Sequence, residues 1–240
     1  MPMRRLKKLF PRLGERVESS KAAASEAIAT RHLLIAGTGR AGTSLLVRYL
    51  TEMGMDTTLS RHDEAAVWSD DADAGLEESP HALFGKGIPY VVKSPWLYLV
   101  IDEAIAKARD RIDAVVVPIR DLSLAARSRT SVERRAMART APWLCTLEQE
   151  WDVWATTPGG VIYSVDEVDQ QRLLAVGFYK LVEKCVESDV PLVFLHFPRF
   201  AEDSDYLFSQ LERFLPASTD VNASREALAK VTDRSKIHFR

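Results

Sequence analysis

The sequence predicts a three-layer α/β fold, a mainly parallel central sheet flanked by helices. Three observations predict it. Short apolar runs alternate along the chain with segments whose apolar residues recur at helical spacing. The first apolar run, Leu33, Leu34 and Ile35, leads into a glycine-rich turn and then a helix. The 240 residues are 46% hydrophobic and 28% charged, which suits one large domain with a substantial core and excludes a disordered chain.

The elements follow in order. A strand over 32–36 precedes a helix carrying Leu45, Leu46, Tyr49 and Leu50. Tyr90, Val91 and Val92 form a short strand ending in Lys93-Ser94-Pro95, and Ile101 to Arg111 is helical. Ile112 to Ile119, with Ala114-Val115-Val116-Val117, is the strongest strand signal, and Asp121 to about Met137 is helical. A helix over Asp166 to Ser188 presents Leu173, Leu174, Phe178, Leu181, Val182 and Cys185 on one face. Pro191 to Phe197 reads as another buried strand, and Tyr206, Leu207, Leu211, Phe214 and Leu215 as a final amphipathic helix. No internal repeat or linker divides residues 31–240, which are expected to form a single domain.

Residues 1–30 differ from the rest. Within the first sixteen, Arg4, Arg5, Lys7, Lys8, Arg12 and Arg16 face the single acid Glu15. No long apolar stretch follows, so the segment reads as a solvated, flexible arm and not as a cleaved leader. The alternative is a helix resting weakly on an anionic membrane, with Leu6, Phe10 and Leu13 facing it.

Charge and cysteine content narrow the function. With 32 basic and 34 acidic residues the formal charge is −2, so no global field attracts nucleic acid. Cys145 and Cys185 form no C-x-x-C, and no His/Cys cluster has metal-ligand spacing. No metal is expected, and the default compartment is a reducing cytoplasm.

The phosphate chemistry lies in Gly37-Thr38-Gly39-Arg40-Ala41-Gly42-Thr43-Ser44. Gly37 and Gly42 are spaced as in a P-loop, G-x-x-x-x-G, but Thr43 stands where the lysine belongs and the cation comes earlier, at Arg40. A turn at a helix N-terminus offers an anion its unpaired amides and the positive end of the helix dipole, and Thr43 and Ser44 add hydroxyls. In a parallel sheet, ligands bind beyond the carboxyl ends of the strands. That rule also selects Lys93-Ser94-Pro95, Arg120-Asp121 and His196 to Arg199. Ser128 lies eight residues after Arg120, so the two can converge on a second phosphate, one as a forked cation and one as a hydroxyl.

These motifs resemble those of the sulfotransferases that use 3′-phosphoadenosine 5′-phosphosulfate. Arg40-Ala41-Gly42-Thr43-Ser44 is similar to their 5′-phosphosulfate loop, and Val115 to Asp121 with Ser128 to their 3′-phosphate motif. Lys93-Ser94-Pro95 is similar to a K-x-P segment of the branch that includes protein-tyrosine sulfotransferases, and the resemblance extends over about residues 32 to 216. It implies a P-loop-like sulfotransferase fold and transfer of a sulfuryl group to a hydroxyl or amine acceptor, without a required metal, leaving adenosine 3′,5′-bisphosphate. Gly39, Arg40, Ala41, Gly42, Thr43 and Ser44 would hold the 5′-phosphosulfate, Arg120 and Ser128 the 3′-phosphate, and Lys93 the charge developing at the leaving group. Two departures stand out: Ala41 replaces a common serine, and Pro95 occupies the place where many cytosolic members carry a histidine base.

The resemblance therefore puts the base elsewhere. Glu64, in Ser60-Arg61-His62-Asp63-Glu64, lies about where the tyrosine-sulfating branch has a catalytic glutamate. His62 is the rival, since an imidazole titrates near neutrality, and Asp63 stands third. Residues 62–80 hold Asp63, Glu64, Asp70, Asp71, Asp73, Glu77 and Glu78 with no lysine or arginine, which reads first as a solvated loop and second as an acceptor-site wall. Trp143, Trp151 and Trp154 serve either core packing or an aromatic acceptor slot. Acceptors from small molecules to lipids, glycans and peptides fit such a fold equally. Two other functions are weighed: an ATP- or GTP-dependent P-loop kinase, which lacks its lysine and a strand-end acid here, and a non-catalytic nucleotide-binding descendant.

Overall fold

The computed structural model describes residues 31–62, 64, 68–69, 74–78, 85, 87–140 and 164–233. The basic arm, Asp63, Asp70, Asp71, Asp73, Trp143, Trp151 and Trp154 lie outside the described residues.

The elements in chain order are β1 (His32–Ile35), α1 (Thr43–Glu52), α2 (Thr58–Arg61), β2 (Trp68–Ser69), β3 (Ala74–Gly75), β4 (Val91–Lys93) and α3 (Leu97–Ala108). They continue with β5 (Ile112–Ile119), α4 (Leu122–Thr140), α5 (Glu167–Glu187), β6 (Leu192–His196), α6 (Arg199–Glu202), α7 (Ser204–Leu211) and α8 (Val221–Val231). The main sheet has the order β4-β1-β5-β6 with every pair parallel, and β2 and β3 form a separate antiparallel hairpin.

Strand alternation divides the core into two faces. Leu33 and Ile35 of β1, with Ala114 and Val116 of β5, meet Leu46, Tyr49 and Leu50 of α1 and Leu207, Leu211 and Leu228 of α7 and α8. Leu34, Ala36, Val115 and Val117 point the other way, onto Leu97 and Ile101 of α3 and Leu181 and Cys185 of α5. The result is the expected three-layer α/β sandwich. Because all four strands run the same way, their carboxyl ends gather on one edge, where Ala36 N–H donates to Val116 O at 3.0 Å and Ser94 N–H to Ile35 O at 2.8 Å.

Most elements follow the sequence reading closely, and β5 matches it to the residue. Asp166 caps α5 by accepting from Val168 N and Asp169 N. Two features correct it. The helix over Ser204–Leu211 is not the last: α8 follows, capped by Asp220 accepting from Ala223 N. The acidic segment is not a wholly solvated loop either, since Ala74 and Leu76 are buried.

At the opposite edge, His32 is fully buried. Its Nδ1 donates to Pro89 O at 2.8 Å, which leaves Nε2 to accept from Arg111 Nη2 at 3.1 Å. Burial, reinforced by the Arg111 and Arg61 charges, pushes the imidazole pKa below its ordinary value, against the Pro89 carbonyl and the Asp113 carboxylate. A depressed histidine pKa makes the folded state prefer the neutral ring. The stability this gives is complete above the unfolded value of about 6.5 and is lost as pH falls below it toward the lowered folded value. Urea denaturation between pH 7.5 and 5 should show that decline, and His32→Asn should flatten it; an equal decline in the variant would assign the slope to other groups.

Candidate active site

Four positive-φ residues shape the turn after β1: Gly37 at 114°, Gly39 at 64°, Arg40 at 52° and Gly42 at 78°. Only Arg40 carries a Cβ there, at a cost of roughly 1 kcal/mol. Gly42 is required by more than its φ, because a Cβ would lie 2.7 Å from the Phe200 ring and 2.9 Å from that of Phe197. Gly42 is also the N-cap of α1 and supplies no side chain, so the first amides of that ten-residue helix have no side-chain cap. A cradle of amides at the positive end of a helix dipole is what an anion needs.

Two cationic motifs join at this turn. Arg120, directly after β5, donates through Nη1 to the Arg40 carbonyl at 2.9 Å, and its guanidinium lies 5.2 Å from the centre of the Phe197 ring. Arg40 in turn donates through Nε to Ser128 Oγ at 3.1 Å. Partial burial lowers the Arg120 pKa, opposed by Asp121. Arg40 therefore shares one hydrogen-bonded patch with Arg120 and Ser128, which are far from it in sequence.

Lys93 closes β4 and is 1% exposed. Its Nζ donates to Ser44 Oγ at 2.9 Å, to Gly75 O at 2.5 Å and to Glu77 Oε1 at 2.8 Å. Burial lowers its pKa, Glu77 opposes that shift, and Arg40 adds to it. Ser44 Oγ also reaches Gly75 O at 3.3 Å, so the β2–β3 hairpin is fastened to both the turn and β4.

The proposed bases sit apart from this network. Glu64 pairs with Arg48 of α1, its side chain 46% exposed. Arg48 lies over the Trp68 ring of β2 at 4.1 Å. His62 is exposed just past the end of α2. Ala41 is buried and Thr43 nearly so, and neither side chain reaches the cationic patch through a described hydrogen bond.

With these contacts in place, the likeness to solved structures can be read. No family model matches the sequence, and no curated protein does. The sulfotransferase STF9 from Mycobacterium avium superposes with a TM-score of 0.53 over 91% of this chain and 74% of that one, at 12% identity. The chain has the sulfotransferase fold. Sulfotransferase STF1 from Mycobacterium tuberculosis H37Rv gives a TM-score of 0.52 at 13% identity, over 93% of this chain and 78% of that one.

In this version of the sulfotransferase fold, Arg129 is a site-adjacent residue that the sequence reading missed. It is 1% exposed, donates through Nη1 to Thr38 O at 2.9 Å and through Nε to Gln170 Oε1 at 3.1 Å, and lies 5.0 Å from the Trp96 ring centre. Its Nη2 has no hydrogen-bond partner among the described residues. Burial, with Arg40 nearby, pushes its pKa down to about 10, which still leaves it charged at neutral pH. The signal was available: Arg129 falls on the face of α4 that buries Ala125, Ala126 and Val132, where a charge needs a reason. Among the described residues no group of three His, Cys, Asp or Glu could hold a metal, and no helix is long and apolar enough to cross a membrane.

Proposed function

We propose that this chain is a sulfotransferase that moves a sulfuryl group from 3′-phosphoadenosine 5′-phosphosulfate to a hydroxyl or amine acceptor by in-line transfer. The observation that supports it best is the join between the two phosphate motifs, Arg120 to the Arg40 carbonyl and Arg40 to Ser128. A donor with phosphates at both the 5′ and 3′ positions needs two adjacent anion sites, whereas a simple nucleoside triphosphate needs one. The residues fit such a ligand, because Arg40, Arg120 and Lys93 lie about an uncapped helix start, with Lys93 hydrogen-bonded to Glu77.

The donor supplies the sulfuryl group and leaves as adenosine 3′,5′-bisphosphate. Amides of Gly39 to Ser44 and the Arg40 guanidinium hold the 5′ side, and Arg120 with Ser128 holds the 3′-phosphate. Lys93, held behind Ser44, would supply positive charge to the phosphate turn, so the electron pair of the sulfur–oxygen bond that breaks would settle on a phosphate oxygen in a positive field. Glu64 takes the acceptor's proton as the acceptor oxygen or nitrogen bonds to sulfur, giving up Arg48 when the acceptor arrives; His62 is its rival.

Thermal shift separates this from nucleotide-triphosphate chemistry. Adenosine 3′,5′-bisphosphate at a hundredfold excess over Kd should stabilise the protein by about 2.7 kcal/mol, and ATP with magnesium by much less. Equal or reversed responses would sink the proposal and favour a kinase. Glu64→Gln should retain bisphosphate binding and lose most turnover, whereas a fully active variant would move the base to His62 or Asp63.

A further inference from the structure

We propose that Glu77 is a positioning residue of the transfer site, the carboxylate that keeps the buried Lys93 ammonium charged and aimed at Ser44 of the phosphate turn. This rests on the reading of Lys93 as the transfer cation.

Lys93 has three N–H donors and three acceptors: Ser44 Oγ, Gly75 O and Glu77 Oε1. The ammonium is thus fully coordinated in a fixed direction. Of the three acceptors, Glu77 alone carries charge. The charged groups that face Lys93 among the described residues are Glu77 from the segment after β3 and Arg40 from the phosphate turn, and they act in opposite directions. A lysine that is 1% exposed and near a guanidinium would shed its proton to escape burial without a compensating anion. Glu77 provides that anion from a half-sealed position, its side chain 17% exposed.

The backbone gives Glu77 little freedom to leave. Glu77 forms an isolated parallel bridge with Lys93, and the next amide, Glu78 N–H, donates to Lys93 O at 2.9 Å. Glu78 is fastened separately, its Oε1 accepting from Thr58 Oγ1 at 3.1 Å. The two adjacent acids therefore have different tasks, one on the lysine and one on α2. A neutral lysine would lose the charge that stabilises a departing phosphate, and a lysine swung away from Ser44 would lose its aim at the turn.

The test uses the full chain with isotope-labelled lysine, the Lys93 Nζ signal being assigned from its loss in Lys93→Arg. In Glu77→Gln the Lys93 titration should move to lower pH, and in Glu77→Asp it should return part of the way. Turnover at pH 8 should fall by about tenfold or more in Glu77→Gln through kcat, with donor KM little changed and the basic limb of the rate profile displaced in the same direction as the titration. Stabilisation by adenosine 3′,5′-bisphosphate should persist, which shows that the variant folds. An unchanged Lys93 titration in Glu77→Gln overturns the assignment. So does a variant with tighter donor binding and faster turnover, because Glu77 would then be a plug occupying an anion's place. If the unaltered protein fails to bind the bisphosphate, the sulfuryl-transfer reading fails, and the Lys93 titration still decides whether Glu77 sets its charge.

Discussion

Arg120→Ala is expected to weaken adenosine 3′,5′-bisphosphate binding by about a hundredfold, the loss of roughly 3 kcal/mol that two charge-assisted hydrogen bonds supply. Two effects combine. On the proposed reading the variant loses a forked cation for the 3′-phosphate, and it releases the Arg40 carbonyl that Nη1 holds at 2.9 Å. With that tie gone, Arg40 has less reason to keep its left-handed φ of 52°, so the 5′ half of the site should loosen too. Arg120→Lys should recover only part of the affinity, because an ammonium cannot serve two acceptors with a planar fork. Calorimetric titration of each variant checks this, and a loss smaller than about fivefold would mean that Arg120 is not a phosphate ligand.

Arg129→Ala should have the largest effect on the fold, a destabilisation of about 3 kcal/mol or more. The substitution removes the bonds to the half-buried Thr38 O and to Gln170 Oε1 and leaves a space beside Trp96. For a domain of this size that corresponds to a fall in Tm of roughly 6–12 °C. Arg129→Met, which refills much of the volume without restoring either bond, should lie between the two. Because Thr38 belongs to the phosphate turn, both variants should also bind the bisphosphate more weakly than their folded fraction accounts for. A Tm within about 2 °C of the unaltered protein would show that Arg129 is not the tie between the turn and the two helices.

The parts legible in the sequence are those whose signals are local. Leu33 to Ile35 and Ala114 to Ile119 are apolar runs of strand length, and the strands appear there. Arg40, Arg120 and Ser128 were also within reach, because a strand's end and the start of the next helix are fixed by the chain itself, and the sheet order then brings β1 and β5 side by side. What escaped depends on contacts the chain makes at a distance. The hairpin strands are two residues long, too short to show a period of two, so Glu77 looked like one more acid in a run of seven. Its pairing with Lys93, sixteen residues later, exists only once β4 has joined the sheet. α8 was missed because few of its residues are strongly apolar; Leu228 and Ala227 provide most of its buried face, and Asp220 was the available signal.

The close approach of Gly42 to Phe197 and Phe200 restricts how this protein can change over time. The same Phe197 ring also lies beneath the Arg120 guanidinium, so the turn after β1, the end of β5 and the corner after β6 share one wall. A larger residue at 42 cannot be admitted unless the corner retreats, and a retreating corner withdraws the surface on which Arg120 rests. The three segments are therefore expected to travel as one heritable block: recombination that imports the turn from a relative without its matching corner should yield chains that fold but lose the bisphosphate binding proposed for this site.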